Sequence, residues 1–260
     1  MSARAGARAR TVITGGASGI GLTLARRFAE RGDRVALCDA DPQAVARVAA
    51  EHPGLLARVA DVTDETQMNA FLAEVDAAMG GADVVCANAG TGGPAGRIET
   101  LSYDDWQACV AVNLHGAFLT CRWAAERMRA QGSGLILLTS STAGLFGYPL
   151  RSPYAAAKWA VIGLMKTLAC ELGPAGVRVN ALAPGAVEGD RMERVLAREA
   201  AASGRSIDEV RAQYVKGVSM RRWVSADDIA DMALFLASPA AAKISGQVIA
   251  IDGHTETLTP

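Results

Sequence analysis

Short apolar runs alternate along the chain with longer segments in which an apolar residue recurs every three or four positions. The longer segments predict amphipathic helices, and one example has an apolar face formed by Met68, Phe71, Leu72, Val75 and Met79. The short runs predict seven strands, at residues 11–14, 34–38, 55–60, 83–87, 135–139, 177–182 and 248–251. Strands and helices that alternate in this way form a parallel sheet covered by helices on both faces. The pattern therefore predicts an α/β fold with a doubly wound, seven-stranded parallel sheet.

No internal repeat, low-complexity tract or linker rich in Pro, Gly and Ser divides the 260 residues. We therefore expect a single domain over residues 11–260. Residues 1–10 are expected to form a flexible, solvated tail, because arginines alternate there with small residues. Residues 186–223, between the sixth strand and the last helix, are too long for an ordinary connection and predict a helical lid. The apolar underside of this lid would be formed by Met192, Val195, Leu196, Val210 and Tyr214.

Composition and charge narrow the classes of partner. The formal net charge of −1 gives no general electrostatic reason to approach nucleic acid or an anionic membrane. No uninterrupted apolar segment approaches the roughly 20 residues of a membrane span, and no apolar stretch follows the basic start, as a secretory signal requires. We therefore expect a soluble cytoplasmic protein whose partners are small molecules, with no nucleic acid and no membrane among them.

Cysteine and histidine residues give no sign of a disulfide framework or a metal site. The histidines, His52, His115 and His254, are isolated and have no second ligand at a metal-binding spacing. The cysteines are odd in number and widely spaced within apolar or helical patterns, which favours reduced thiols in the core. They are Cys38, Cys86, Cys109, Cys121 and Cys170.

A glycine-rich segment, T-G-G-A-S-G-I-G at residues 14–21, lies between the first strand and the first helical pattern. Without a Cβ atom, Gly15, Gly19 and Gly21 would let the backbone turn tightly and approach a pyrophosphate, which the amides of a helix N-terminus can bind. A plain strand-to-helix turn could contain the same glycines. The context favours the ligand, because polar residues also follow the next three strands at the sheet edge where such folds bind ligands. They are Asp39, Asp61 with Val62, and Asn88 with Ala89 and Gly90.

Asp39 follows Gly21 by 18 residues and ends the second strand. A carboxylate at this position can accept hydrogen bonds from the ribose hydroxyls of a bound adenosine. The 2′-phosphate of NADP would be repelled by Asp39 and would find no arginine or lysine at Ser18 or Ala40. We therefore predict NAD as the cofactor, and a solvated strand-end aspartate is the alternative interpretation.

Four polar residues predict acid–base chemistry. Tyr154 and Lys158 are four residues apart at the start of a long helical pattern, so both side chains project from one face. Ser141 follows the fifth strand by two residues, so a loop over the sheet edge can bring its hydroxyl and that of Tyr154 to one substrate. Asn113 lies inside a helical pattern, where asparagine needs a partner. The alternatives are a surface tyrosine beside a solvated lysine, and a capped or kinked helix at the asparagine.

In these motifs and in their order the chain resembles the short-chain dehydrogenase/reductase family, in its compact single-domain form. The resemblance covers nearly the whole chain and includes Y-A-A-A-K at residues 154–158. It implies a Rossmann-like catalytic domain in which Tyr154 is the general acid/base and Ser141 orients the substrate oxygen. It further implies that Lys158 holds the nicotinamide ribose and lowers the tyrosine pKa, and that Asn113 positions a water in a proton relay.

The resemblance also implies a set of cofactor contacts and an assembly. Glu188 departs from the threonine that family members often have after the valine near the nicotinamide. A homotetramer is expected by resemblance, and the long apolar helical patterns after Asp104 and Tyr154 agree with helices covered on more than one side. The expected cofactor contacts are Gly15, Ser18, Gly19, Ile20, Gly21, Asp39, Asp61, Val62, Asn88, Ala89, Gly90, Tyr154, Lys158, Pro184, Gly185 and Val187.

These residues predict an oxidoreductase that transfers a hydride between NAD(H) and a secondary alcohol or its ketone. The substrate is expected to be small and polar, such as a sugar, polyol or hydroxy acid. Arg151, three residues before Tyr154, and Arg191 and Arg194 in the predicted lid could bind an anionic or strongly polar substrate group. Solvated arginines are the alternative.

Two other functions stay open. The first is a 3-oxoacyl thioester reductase, which would need an exposed basic patch for a carrier protein, with Arg122, Arg127 and Arg129 as candidates. Asp39 counts against the NADPH that such enzymes usually use. The second and more remote function is a non-catalytic NAD(H)-binding regulatory protein, against which the intact set of four polar residues counts.

Overall fold

The computed structural model describes residues 8–257. Within this range one parallel sheet contains seven strands: β1 (Arg10–Thr14), β2 (Arg34–Asp39), β3 (Leu56–Val59), β4 (Val84–Ala87), β5 (Gly134–Thr139), β6 (Val177–Pro184) and β7 (Val248–Ile251). Their order across the sheet is β3-β2-β1-β4-β5-β6-β7. The strand order therefore reverses between β1 and β4, whose carboxyl ends flank the crevice where open sheets bind ligands. The predicted doubly wound, seven-stranded sheet is confirmed.

Helices cover both faces of this sheet. Adjacent residues of a strand point to opposite faces, so Val12 and Ile13 of β1 belong to different layers of the core. The α-helices in the described range are α1 (Gly19–Glu30), α2 (Pro42–Glu51), α3 (Glu65–Met79), α4 (Tyr103–Val110), α5 (Gly116–Gln131), α6 (Ser152–Leu172), α7 (Asp190–Ser203), α8 (Ile207–Lys216) and α9 (Ala226–Ala237). Val12 shares a cluster with α3, α5 and α6, whereas Ile13 shares one with α1, α2 and α9.

Arg10 begins β1 and is buried, so the sequence prediction that it belongs to a solvated tail is wrong. Its guanidinium forms a salt bridge with Asp83 at 2.8 Å and donates to the Gly80 carbonyl at 2.7 Å. These partners are 73 and 70 residues away along the chain, so local composition does not reveal them. Residues 1–7 of the predicted tail lie outside the described residues.

Residues 186–223 contain α7 and α8, and a parallel bridge between Val187 and Val224 joins the two ends of this insertion. The insertion has a small apolar core of its own, separate from the two layers beside the sheet. Its members are Leu196, Ala200 and Val210, with Met192, Tyr214 and Trp223 packed against them. Val195 is also buried and lines the cleft described below. Closure of the insertion over a ligand stays a prediction.

Two features are absent from the described residues: a membrane-spanning helix and a cluster of metal ligands. Within residues 8–257, no helix has both the length and the apolar character needed to cross a bilayer. In the same part of the chain, no group of three His, Cys, Asp or Glu side chains is placed to hold a metal ion.

All five cysteines are free, and burial raises the pKa of the Cys86 and Cys121 thiols to about 12. These two thiols therefore stay protonated at neutral pH.

Candidate active site

A cleft of about 620 Å³ opens at the carboxyl ends of the strands. It brings together residues that the sequence distributes from Gly15 to Val187. All the predicted site residues line it except Asn113, which lies behind Gly90. Those in its wall are Gly15, Ser18, Gly19, Ile20, Gly21, Asp39, Asp61, Val62, Asn88, Ala89, Gly90, Ser141, Tyr154, Lys158, Pro184, Gly185 and Val187.

The turn from β1 into α1 leaves no room for side chains. A Cβ atom on Gly21 would lie 1.9 Å from the carbonyl oxygen of Gly15, and one on Gly15 would lie 2.8 Å from the Cα of Ala89. Gly19 has a left-handed φ of +49°, and its open side has no atom within 4 Å. Backbone atoms therefore form the cleft wall here, with free space in front of them.

The N-terminus of α1 is suited to an anion. Ser18 is the N-cap residue, but its side chain makes no capping hydrogen bond, and the first turn carries no acidic residue. The first amides of a helix lack intrahelical partners and carry the positive end of the helix dipole. Because neither a cap nor a carboxylate satisfies them, they can bind a phosphate group.

Asp39 lies at the far end of the cleft, half-buried at the end of β2. Its carboxylate accepts hydrogen bonds from the amides of Ala17 at 3.1 Å and Asp41 at 3.2 Å, which fix it beside the glycine turn. Ala40 is exposed and carries no charge. Arg47, an exposed residue of α2, lines the same end of the cleft. Sequence reasoning missed Arg47, because only the packing of α2 beside β2 brings it there.

Asn88 ties three strands together beneath the cleft. Its Nδ2 donates to the carbonyl oxygens of Thr14 and Gly15 at 3.2 Å, and its Oδ1 accepts from the Thr139 hydroxyl at 3.1 Å. The side chain therefore holds the ends of β1, β4 and β5 in register. Asp61 is bonded locally instead, because its Oδ1 accepts from both the amide and the hydroxyl of Thr63 at 2.8 Å.

Tyr154 and Lys158 project from the first turns of α6 into the middle of the cleft. Lys158 is only 2% exposed, and its Nζ donates to the carbonyl oxygen of Thr139 at 2.8 Å. The same nitrogen lies 5.6 Å from the centroid of the Tyr154 ring. Ser141 faces them from the end of β5, where its hydroxyl oxygen accepts from the Ala143 amide at 3.1 Å. A hydroxyl, a phenol and an ammonium group thus meet in one cleft.

Asn113 lies in a π-helical turn, residues 111–115, between α4 and α5. Its Nδ2 donates to the carbonyl oxygens of Cys109 at 2.9 Å and Thr91 at 3.0 Å. Its Oδ1 is buried and has no hydrogen-bond partner. A Cβ atom on Gly90 would lie 2.8 Å from this Oδ1 and 3.3 Å from Lys158 Nζ. The helix is thus locally distorted, as one of the two sequence interpretations expected, and a buried acceptor lies near the lysine.

The segment after β6 forms the opposite wall. Gly185 donates its amide to the carbonyl oxygen of Ile251 at 2.9 Å, and a Cβ atom on it would lie 2.8 Å from that of Asp252. Val187 pairs with Val224, and the Glu188 amide donates to the Val224 carbonyl at 2.9 Å. The side chain of Glu188 is exposed, so the departure from the family's threonine lies at the rim of the cleft.

Arg151 is buried rather than solvated, and it is paired. Its Nη1 lies 3.1 Å from Oε1 of Glu199 in α7, and both side chains are at most 2% exposed. The same Oε1 accepts from the hydroxyls of Tyr148 at 2.7 Å and Tyr214 at 2.8 Å, which also contact each other. Burial first, and then the negative charge of Glu199, raise the pKa of Tyr148, and burial likewise raises that of Tyr214. Both hydroxyls therefore stay protonated as donors.

Sequence reasoning identified Arg151 but missed Glu199 and the bonds of the two tyrosine hydroxyls. No local pattern pairs residues 48 positions apart. Of the two lid arginines, Arg194 is exposed and lines the cleft rim. The side chain of Arg191 lies outside the described part of the structure.

Comparison with known proteins gives matches over almost the whole chain. A family model described as enoyl-(acyl carrier protein) reductase matches residues 15–254. The D-beta-hydroxybutyrate dehydrogenase of Rhizobium meliloti is 34% identical over 249 residues, covering 93% of this chain and 96% of that protein. An uncharacterized short-chain type dehydrogenase/reductase of Sinorhizobium fredii is 35% identical over 254 residues, covering 93% and 95%. The solved structure of NAD⁺-bound xylitol dehydrogenase has a TM-score of 0.89 at 30% identity, covering 94% of this chain and 98% of that chain.

Proposed function

We infer that this chain, which belongs to the short-chain dehydrogenase/reductase family, transfers a hydride between NAD(H) and a secondary alcohol or its ketone. One observation carries this inference: the glycine turn at α1 and the group formed by Ser141, Tyr154 and Lys158 lie in one cleft. The proposed substrate is small and polar, such as a sugar, polyol or hydroxy acid. The names of the hydroxybutyrate and xylitol dehydrogenases to which the chain is similar support this substrate class.

The cleft fits a dinucleotide at its glycine end. The turn has no room for a Cβ atom on Gly15 or Gly21, and open space lies in front of Gly19. The amides at the start of α1 would hold the pyrophosphate, and Asp39 would accept hydrogen bonds from the adenosine ribose. Lys158 and the wall formed by Pro184, Gly185 and Val187 would hold the other end of the cofactor. When bound, NAD(H) supplies or accepts the hydride.

NAD(H) is proposed over NADP(H) because of the charge at the ribose end. Asp39 is fixed by two backbone amides, so it cannot turn away from a phosphate without losing them. Ala40 offers no charge that would compensate the repulsion. Arg47 lines the same end of the cleft, and its guanidinium would favour a phosphate there. Its long exposed side chain is screened by water and is a weaker determinant than the fixed carboxylate.

Tyr154 is proposed to move the proton. During oxidation its phenol oxygen would take the proton of the substrate hydroxyl, and during reduction it would return that proton. Lys158 is held by the Thr139 carbonyl with its ammonium beside the tyrosine ring, where a positive charge stabilises negative charge on the phenol oxygen. The Ser141 hydroxyl would donate to the substrate oxygen. Through its unpartnered Oδ1, Asn113 would position a water that passes the proton onward.

The 3-oxoacyl thioester reductase alternative has the acyl carrier protein in the matched family description in its favour. The arginines proposed as its docking patch do not form a free basic surface. Arg122 pairs with Glu65, and Arg127 pairs with Asp76 and Glu126. Arg129 donates to the carbonyl oxygen of Glu171. This alternative is therefore not better supported than the small-alcohol reaction.

The proposal is tested by a screen of secondary alcohols and ketones with NAD(H) and with NADP(H), read by the absorbance of the reduced cofactor. We expect turnover of several small polar alcohols with NAD⁺, at higher kcat/KM than with NADP⁺. A chain that binds NADH but oxidises or reduces no compound would favour the non-catalytic regulatory protein instead. Equal or better efficiency with NADPH would overturn the cofactor assignment.

A homotetramer in the cytoplasm completes the proposal. Tyr103, Phe118 and Trp159, on α4, α5 and α6, are large apolar side chains with about half or more of their surface exposed, which supports cover by other subunits. Light scattering at micromolar concentration is expected to give the mass of four chains. A monomeric mass would contradict the assembly and leave the proposed reaction untouched.

A further inference from the structure

Arg151 lies where a cation would act on the substrate. Its guanidinium carbon is 5.6 Å from the centroid of the Tyr154 ring and 5.4 Å from that of Tyr148, and its side chain lines the cleft while being only 2% exposed. A positive charge with so little water around it acts strongly on its surroundings. If this charge were uncompensated, it would select a substrate with an anionic end, as the sequence alone suggested.

The charge is compensated from behind the cleft wall. Glu199 reaches Arg151 from α7 and is itself 1% exposed, and it does not line the cleft. Nη2 of Arg151 donates to the Gly92 carbonyl at 2.5 Å. The guanidinium therefore faces the cleft as one half of a neutral, buried pair. An anionic substrate group would have to share this guanidinium with a carboxylate that cannot leave.

Glu199 is held in place by more than the arginine. The hydroxyls of Tyr148, in the loop before α6, and Tyr214, in α8, both donate to its Oε1, so the side chain of Glu199 is fixed to both segments. Removal of either charge of a buried pair leaves the other uncompensated, which is strongly unfavourable. An entering anion is therefore not expected to displace Glu199.

The pair favours a neutral group in the cleft. Nε of Arg151 and Oε2 of Glu199 are both buried and have no hydrogen-bond partner, so neither is open to the cleft as a free charge. A hydroxyl, ether or carbonyl oxygen of a substrate brings no second negative charge beside Glu199. Lys158 and Arg194 also line the cleft near this end. The Lys158 ammonium donates to the Thr139 carbonyl oxygen beside Tyr154, and Arg194 is exposed at the rim, where Glu188 and Asp190 carry the opposite charge.

We propose that Glu199 determines the substrate class: by neutralising Arg151 it makes the cleft accept an uncharged secondary alcohol with a polar far end and disfavour a carboxylate, sulfonate or phosphate there. This rests on the proposed function and narrows it to sugars, polyols and other neutral alcohols, leaving out hydroxy acids. Glu199 touches no reacting atom and acts through Arg151, so it is a positioning residue.

The test compares each of two hydroxy acids with its uncharged methyl ester: 3-hydroxybutyrate and 4-hydroxypentanoate. For the wild-type chain we expect the esters to have the higher kcat/KM, by about tenfold or more. Glu199→Gln keeps an acceptor for the tyrosines but frees the arginine charge. It is expected to shift the acid-to-ester ratio toward the acids by about tenfold, mainly through KM of the acids. A merely structural defect would lower both members of each pair alike.

Two further variants separate charge from packing. Arg151→Gln combined with Glu199→Gln restores neutrality and is expected to return the ratio to within about threefold of wild type. Glu193→Gln removes an exposed carboxylate of the same helix and should leave the ratio unchanged. Thermal melting of each variant checks folding. If Glu199→Gln does not fold, Arg151→Gln gives the opposite test, because it leaves a net negative charge and should disfavour the acids further.

Failure of the inference and failure of the proposed function give different results. If the wild-type chain favours the acids, or if Glu199→Gln changes acids and esters equally, the inference is overturned while the reaction stands. If no alcohol is oxidised with either nicotinamide cofactor, the proposed function fails. In that case the acid and ester dissociation constants for the NADH complex, measured by calorimetry, still test the charge selection.

Discussion

At the glycine turn of the cofactor end the cleft wall is made of backbone, whereas at the substrate end it is made of charged and hydroxyl side chains. Gly15 and Gly21 pack against backbone atoms at the ends of β1 and β4, and no side chain could replace their hydrogen atoms. At the other end, Arg151 and Glu199 meet from segments 48 residues apart. The first end is fixed by close backbone contacts that a side chain at Gly15 or Gly21 would break. The charge of the substrate end depends on which charged side chains the tertiary structure pairs there.

The two ends of the cleft also differ in the substitutions that they tolerate. A backbone wall tolerates almost no substitution, because added atoms overpack it. A buried side-chain network can exchange its charges in matched pairs, since only an unmatched charge is strongly unfavourable. We therefore expect a substitution in the glycine turn to weaken cofactor binding. A substitution in the charged network is expected to change which substrates bind.

The largest effect is expected between the two ends, at the proposed acid/base residue Tyr154. Tyr154→Phe removes one hydroxyl and should lower kcat by roughly 10²–10⁴-fold, the usual contribution of general acid–base catalysis. The NADH dissociation constant, measured by fluorescence titration, should stay near the wild-type value. Lys158→Ala should weaken both turnover and NADH affinity, because its ammonium is proposed to serve tyrosine and cofactor together. Retained turnover in Tyr154→Phe would remove the acid/base assignment.

The next largest effect tests the backbone wall. Gly21→Ala places a methyl group 1.9 Å from the Gly15 carbonyl oxygen, so the turn must shift. Overpacking of this kind is unfavourable by about 1–3 kcal/mol, and we expect NADH affinity to fall by about ten- to a hundredfold. Gly54→Ala is the matched control, because a Cβ atom there meets nothing within 4 Å. Unchanged NADH affinity in Gly21→Ala would show that the turn does not contact the cofactor.

A smaller effect, on cofactor preference, is expected at Asp39, the charged side chain at the cofactor end. Asp39→Ala combined with Ala40→Arg removes the repulsion of a 2′-phosphate and adds a partner for it. The ratio of kcat/KM for NADP⁺ to that for NAD⁺ should rise by about tenfold or more. Arg47→Ala in the same background shows how much of the remaining phosphate binding comes from α2. An unchanged ratio in the double variant would mean that cofactor choice is made elsewhere.

The smallest effect is expected when NADH binds and changes the mobility of residues 186–223. If this insertion closes over the cofactor, saturating NADH should slow proteolysis within it by about threefold or more, because cleavage requires local opening. Cleavage sites can be located by mass spectrometry, and Tyr154→Phe serves as a variant that binds NADH without turnover. Identical cleavage rates with and without NADH would contradict lid closure.

Much of the fold and of the site follows from short-range patterns. The strand-to-helix glycines, the strand-end residues Asp39 and Asn88, and the pair Tyr154 and Lys158 all depend on spacings of a few residues within one element or its end. Parallel strands bring such ends to one sheet edge whatever the intervening sequence. For this reason the sequence could predict the doubly wound sheet and which residues line the cleft.

What the sequence by itself determined, then, is the order of strands and helices, the glycine turn and which polar side chains meet in the cleft, because each depends on local periodicity or spacing. Only the tertiary structure decided the environment of individual charges. Arg10 is buried at the start of a strand because Asp83 and Gly80 lie beside it to bind its guanidinium. The charge of Arg151 is compensated because Glu199 forms a buried salt bridge with it. These partners come from distant segments, and hydrophobic patterning constrains which faces are buried but not which opposite charge a buried cation will meet.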